Sequence, residues 1–339
     1  MLARFTSSRV IRDTWGTMRN NKPLFAMMAS MVAWGVGNPI GDIAVEHMSP
    51  VAVFVIEMIC GLLILLAGAM FIPSLRRAIK HIPWRIAIPF GLLQPGLAYL
   101  SGNIGWQYGS VTTGAILMSS EVIFLALGGA IFLREKLSLW AVIALLVGVS
   151  GAIIVGIAGQ TSNPETAGVQ LTILGASVSA GVVGALAFLG VGLAGAIYGL
   201  LMRRLNSQVN IISLTVGQMT SASAFSIVML VATNTEIPTP VGVGNYFYAA
   251  VLAGIVGTSL PFLLFNYAAP KLTTKQTAIT LNLIPVVAIL FGAVLGRGLP
   301  IGTQYIGIGL VLISLLSLEA GHDDDIDSKT ASPAPKTTK

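Results

Sequence analysis

Charge is what this sequence has least of. Of its 339 residues only 9% are Asp, Glu, Lys or Arg, against about 25% in an ordinary soluble domain. So few charges cannot cover a large surface in water, and a mean hydropathy of +0.85 points to lipid as the main solvent. Cysteine is scarcer still. Cys60 stands alone, so no disulfide closes within the chain and no cysteine-based metal site exists. The three histidines, His47, His81 and His322, fall outside the apolar stretches and form no spaced metal set. There is no Gly-x-x-x-x-Gly-Lys-Ser/Thr loop, which speaks against ATP hydrolysis. Nor do paired acids or histidines share a helix face as a catalytic pair would. The chain is therefore expected not to be an enzyme and to carry neither cofactor nor metal. A net charge of +6 would suit nucleic acid, but the basic residues are scattered at the ends of apolar stretches rather than gathered in a patch. No nucleic-acid partner is expected.

What the sequence has in quantity is apolar runs of membrane-spanning length. A helix needs about 20 apolar residues to cross a core of about 30 Å. Ten runs qualify, at roughly 23–41, 51–72, 86–107, 112–133, 137–158, 186–202, 209–233, 245–269, 276–296 and 299–318. Lys and Arg stay on the cytoplasmic side of such helices. Threading ten spans from an inner N-terminus puts 18 of the 19 basic residues inside, and only Arg297 outside. The expectation is an all-α integral protein of the cell (inner) membrane, with both termini cytoplasmic. Residues 1–22 form a basic cytoplasmic segment that does not read as a cleavable signal. Residues 319–339 form a polar tail expected to be disordered. Residues 159–185 are an external linker. Within it, 166–185 carries no charge and is rich in Gly, Ser and Thr, as an interfacial helix or an extension of span six.

A shift of 164 residues superposes the halves over four spans. Trp34-Gly35 falls on Tyr198-Gly199, Ser49 on Ser213, Thr113 on Thr277 and Gly128 on Gly292. Five spans per repeat is an odd number, so residues 23–158 and 186–318 form two five-helix repeats in opposite orientations, an arrangement of secondary transporters. Several runs then become specific: Ala33-Trp34-Gly35 with Pro39, Phe132-Leu133-Arg134-Glu135-Lys136-Leu137-Ser138, Ala196-Ile197-Tyr198 before Arg203-Arg204-Leu205, and Pro285-Val286. In these the chain resembles the EamA-type family of the drug/metabolite transporter superfamily, over about residues 23–318. The resemblance implies a ten-helix carrier of two repeats that exports or exchanges metabolites. Glu121 departs from it, standing where a proline is usual, as Pro285 does in the second half.

Gly190-x-Gly192-x-x-Gly195 matches a dinucleotide fingerprint by letter, without the strand before it or the acid after it that the fingerprint needs. Close helix packing is the better reading, since small residues four apart let helices approach. Trp34 and Asn38 share a face of span one, and Tyr99 and Asn103 a face of span three. Polar groups there are poorly solvated in lipid and should face the bundle interior. Trp106 and Gln107 continue that stripe to the end of span three, where an interfacial place is equally open. Tyr267 and Asn282 are counterparts in the second half, with Asn266, Gln276 and Thr280 nearby. Glu57 and Glu121 are expected to be the only charges deep in spans, with no basic residue beside them. Glu121, nine steps into span four, lies roughly 14 Å deep. A bare carboxylate there is costly, and protonation, water, polar neighbours or a positively charged substrate must satisfy it. The expected function is secondary export of a small metabolite such as an amino acid or amine by alternating access. Glu121, Glu57, Trp34, Asn38, Tyr99, Asn103, Tyr267 and Asn282 are the substrate or coupling residues. Import by the same fold is the first alternative, and a membrane enzyme or non-transporting membrane protein the second. The expected partners are the small-molecule substrate, protons as coupling ion and the bilayer; a homodimer is compatible with the sequence.

Overall fold

The computed structural model describes residues 22–132, 143, 146–148, 150–151, 154, 169–173, 176–203, 205, 209–272, 280–281, 283–297, 299–300, 302–310 and 312–313. Its helices are α1 (Lys22–Ala44), α2 (Pro50–Phe71), α3 (Pro73–Ile79), α4 (Trp84–Gly91), α5 (Ala98–Tyr108), α6 (Val111–Met118), α7 (Ser120–Phe132), α8 (Ala180–Arg203), α9 (Ile211–Ala232), α10 (Pro240–Val243), α11 (Asn245–Gly254), α12 (Leu260–Ala268) and α13 (Leu283–Val294). Among the described residues five stretches are long and apolar enough to cross a membrane: Lys22–Ala44, Pro50–Phe71, Ala180–Met202, Ile211–Ala232 and Asn245–Lys271. The expected span at 137–158 falls largely outside the described residues, and that at 299–318 falls outside them at 301, 311 and 314–318.

Apolar side chains cover the outside of the bundle as well as its core. Val231 is 74% exposed and Leu290 62%, which water would penalise and lipid does not. Inside, small residues and hydroxyls make the contacts. Ser30 Oγ donates to the Pro261 carbonyl at 2.8 Å, Ser223 Oγ to the Met58 carbonyl at 3.0 Å, and Ser259 Oγ to the Gly61 carbonyl at 2.5 Å. Such bonds average about 0.6 kcal/mol each within membranes, so their number and placement matter more than any single one. Ser49 caps α2 by accepting from the Ala52 amide, and Asn210 caps α9 by accepting from the Ile212 and Ser213 amides.

Two helical stretches are interrupted at matching places. α4 passes to α5 through a kink within Leu92–Leu97, where Gln94 leaves helical geometry, and α11 runs into α12 through a π-helical segment, Ile255–Ser259. Prolines sit at both, Pro95 inside the first and Pro261 just past the second. Each removes an amide from the ladder and leaves a carbonyl four residues back in need of a donor. The fourth span is likewise not one rod. It breaks at Ser119, whose hydroxyl donates back to the Ala115 carbonyl at 2.8 Å.

The packing is reciprocal. α1 lies against α11, α12 and α13, while α8 lies against α5, α6 and α7, and α2 packs on α9. The first helix of each half thus embraces the later helices of the other, which sets two repeats into one bundle.

The 166–185 segment divides in two. Residues Gln170–Ile173 and Ala176–Ser179 form an antiparallel pair, β1 and β2, with Gln170 opposite Ser179. The helix then starts at Ala180, six residues before the expected start of span six. The interfacial-helix reading of 170–179 is therefore corrected. Thr172, Ile173 and Val178 are β-branched and favour strand, whereas the Ala- and Leu-rich run after Ala180 favours helix.

Candidate functional site

α1 and α11–α12 cross at their backbones. A methyl group built on Gly37 would fall 2.7 Å from Gly257 Cα, so both positions need glycine for this approach. Gly257 lies four residues before Pro261, so the amide that a regular helix would aim at its carbonyl is missing. The Tyr99 hydroxyl donates to that carbonyl instead. Trp34 Nε1 donates to the Tyr99 oxygen at 3.0 Å, and the Trp34 ring meets Phe262 edge-on with centroids 5.1 Å apart. An aromatic wall is thereby fixed at the crossing.

A cavity of about 1100 Å³, open mouth included, lies against this wall. Trp34, Asn38, Glu57, Tyr99, Asn103 and Glu121 all line it, so six of the eight residues singled out from the sequence meet there. Asn103 Nδ2 donates to Glu57 Oε2 at 2.7 Å. The other Glu57 oxygen faces Gly41: a methyl group there would sit 3.6 Å from Glu57 Oε1. Glu121 is held differently. Among the described residues no hydrogen bond to its carboxyl is found, and its seat is a gap left by Gly195, where an added methyl would lie 2.5 Å from Glu121 Cδ. Of the Gly190-x-Gly192-x-x-Gly195 run, Gly192 packs closely on the α6–α7 break and Gly195 on this carboxyl, while Gly190 makes ordinary contact with Ser101. No Lys, Arg or His is among the described residues that line the cavity.

Tyr267 lies elsewhere. It is 41% exposed, with Lys271 Nζ 3.1 Å from its ring centroid, and does not line the cavity. Asn282 lies outside the described residues, as do Gln276 and Glu135. Trp106 proves to be buried and cavity-lining, edge-on to Phe188 at 4.6 Å, rather than interfacial. Gln94, Ser119, Tyr198, Phe262 and Phe265 were missed. Tyr198 carried a signal, because the 164-residue shift places it on Trp34.

Glu57 and Glu121 are joined by a third acid, buried at the end of the first span, which the expectation of two charges deep in spans did not include. α1 continues three residues past its expected end and buries Asp42, 3% exposed. Arg297 reaches it, and Glu46 as well, in a hydrogen-bonded ion pair with each. Burial works against the Arg297 charge, and the two carboxylates more than offset it, so its pKa lies above the ordinary arginine value. The one basic residue that the expected threading leaves outside thus has two acidic partners.

Two interleaved helical repeats in an apolar coat, closing around a cavity of aromatic, amide and carboxyl groups, define a membrane transporter. The chain belongs to the EamA-like transporter family, whose profile matches residues 21–157 and 182–318. It is 24% identical over 298 residues, 87% of its length, to an uncharacterized transporter of Archaeoglobus fulgidus, 97% of which is covered. It also superposes on a protein of known crystal structure with a TM-score of 0.60 and 16% identity, over 91% of this chain and 99% of that one, a likeness of fold alone.

Proposed function

We propose that the protein is a secondary active carrier that exports a small cationic or zwitterionic metabolite, an amine or amino acid, by alternating access in the inner membrane. The N-terminus and the ends of the even-numbered spans face the cytoplasm. The observation that carries the reading is the cavity's sign: among the described residues it is lined by Glu57 and Glu121 and by no basic side chain. A carboxyl in such a place can hold a proton or an ammonium group but not both, and that competition couples the two fluxes. Glu57 already has a donor in Asn103, whereas Glu121 has none among the described residues, so Glu121 is the better seat for the exchanged charge. The aromatic wall of Trp34, Tyr99 and Phe262 offers a face on which a cation or a planar group can rest.

The test is counterflow in liposomes, with pooled amino acids, amines and nucleosides presented to the purified chain. Uptake of an amine or amino-acid pool, with a rate that depends on pH, is the expected result. Glu121→Gln keeps size and hydrogen bonding but cannot titrate. It should remain folded, lose the pH dependence, and raise the half-saturating concentration of a cationic substrate about 10- to 100-fold, as loss of a charged partner does. An unchanged pH profile in that variant would remove Glu121 from the coupling role.

A further inference from the structure

A second polar cluster, whose one cavity-lining member is Tyr198, repeats the arrangement at Glu57. Glu57 is the eighth residue of α2 and Gln218 the eighth of α9. Asn103 stands five residues before Tyr108, which ends α5, and Asn266 five before Lys271, which ends the Asn245–Lys271 stretch. In each half the asparagine amide donates to the acidic or amide side chain on the neighbouring helix. Asn103 Nδ2 meets Glu57 Oε2 at 2.7 Å, and Asn266 Nδ2 meets Gln218 Oε1 at 2.9 Å. Tyr198, the counterpart of Trp34, completes the second cluster.

The two clusters differ in openness and in charge. Glu57 and Asn103 line the cavity; Gln218 and Asn266 are 0% exposed and do not. The second cluster is a closed ring. The Tyr198 hydroxyl donates to Asn266 Oδ1 at 2.6 Å and accepts from Gln218 Nε2 at 3.2 Å, and Asn266 Nδ2 also donates to Thr215 Oγ1 at 2.9 Å. Each amide oxygen and nitrogen in the ring is used. In a carrier of two inverted repeats the halves exchange conformations as access alternates. What is open in one half and closed in the other should then trade places.

We infer that the Gln218–Asn266–Tyr198 ring is the closed form of a second station on the substrate path, one that opens toward the cytoplasm while the Glu57–Asn103 station closes. The inference rests on the carrier reading above. The ring's chemistry sets what it takes: two carboxamides and a phenol bind hydrogen-bonding groups of either polarity and hold no charge. A substrate with an ammonium group and polar substituents finds a carboxylate partner at the first station and only dipoles at the second. Its charge is held on one side of the cycle alone.

The test reads accessibility and needs no known substrate. In the full chain with Cys60→Ala, Thr215→Cys places a thiol in the ring with little change of volume. The probe is a membrane-impermeant methanethiosulfonate bearing a trimethylammonium group, applied to inside-out membrane vesicles. Ala222→Cys is the buried control on the same helix, packed on Phe54 and Met58, and Val231→Cys the lipid-facing one. Thr215→Cys should lose its free thiol while both controls keep theirs; Gln218→Cys repeats the measurement from a second member of the ring. The inference is overturned if the Thr215→Cys and Gln218→Cys thiols both survive in folded protein, or if Ala222→Cys reacts as fast, which would mean general loosening. Counterflow without labelling sinks this inference alone; labelling without counterflow from any pool sinks the proposed function.

Discussion

Glu121 sits where the backbone of α8 leaves a gap, and the gap is Gly195. A side chain at 195 must move the carboxyl, because even one methyl group would lie 2.5 Å from Glu121 Cδ and 2.6 Å from Oε2. Gly195→Ala should therefore destabilise the folded protein by about 1–3 kcal/mol, the usual cost of an added methylene in a packed site. Glu121→Asp withdraws the carboxyl by one methylene. The double variant Gly195→Ala/Glu121→Asp should recover about 1 kcal/mol relative to the sum of the singles. Thermal unfolding of the four purified proteins reads this, and additive losses would show that the two residues do not press on each other. At Arg297 the issue is charge rather than space. Asp42 is buried and Arg297 is its cation. Arg297→Gln leaves that carboxylate unpaired and should cost about 3–5 kcal/mol. Asp42→Asn/Arg297→Gln removes both charges and should regain much of the loss; a double variant no more stable than Arg297→Gln would contradict the pairing. The sequence showed Glu57 and Glu121 as buried acids because both stand well inside apolar runs. It could not show Asp42 as one, since Asp42 lies at the edge of its run and its partner is 255 residues away.

Between residue and fold, the helices keep their hydrophobic periods but not their straightness. Long apolar runs told where the bundle helices would be, because any lipid-facing segment must satisfy its own backbone. They did not tell that the third span would kink and the eighth widen, although Pro95 and Pro261 were visible in them. A proline frees a carbonyl, and only the tertiary structure decides who fills it. At Gly257 it is Tyr99, and that choice needs α1 close enough to bring Trp34 alongside. Gly37 and Gly257 set that distance. Gly37→Val should push α1 away from the π-helical segment, break the Trp34–Tyr99–Gly257 chain and lower stability by about 1–3 kcal/mol. The tryptophan fluorescence of Trp34 should respond too, measured against Trp34→Phe as the blank. A variant with unchanged emission and stability would show that the helices have slack at this crossing. The strand pair at 170–179 was illegible for a different reason. Its Gly, Ser and Thr content says only that a helix is unfavourable, and pairing between two four-residue strands is a contact that composition does not encode.

For the whole molecule the open question is which way each segment faces. The reciprocal packing of α1 on α11–α13 and of α8 on α5–α7 relates the halves as a pair, and the odd number of spans expected per half would make the pair inverted. The rival threading makes 166–185 a further span and puts Arg203, Arg204, Lys271 and Lys275 outside. The strands Gln170–Ile173 and Ala176–Ser179 weigh against it. They form a two-stranded sheet, and its outer edges carry backbone groups that lipid would leave unpaired. Such a sheet belongs in water or at the interface. The helix that follows, Ala180–Arg203, is by itself long enough to cross once, since 24 residues at about 1.5 Å each exceed a core of about 30 Å. One crossing between 166 and 203 would keep those four basic residues inside, as the positive-inside preference asks. Reporter fusions check the threading directly. A fusion at Ser162 should read external, and fusions at Ser207 and Ser328 internal. An external signal at Ser207 would require a second crossing before it, break the opposed orientation of the two halves, and take with it both the carrier's inverted symmetry and the pairing of the Gln218 ring with the Glu57 station.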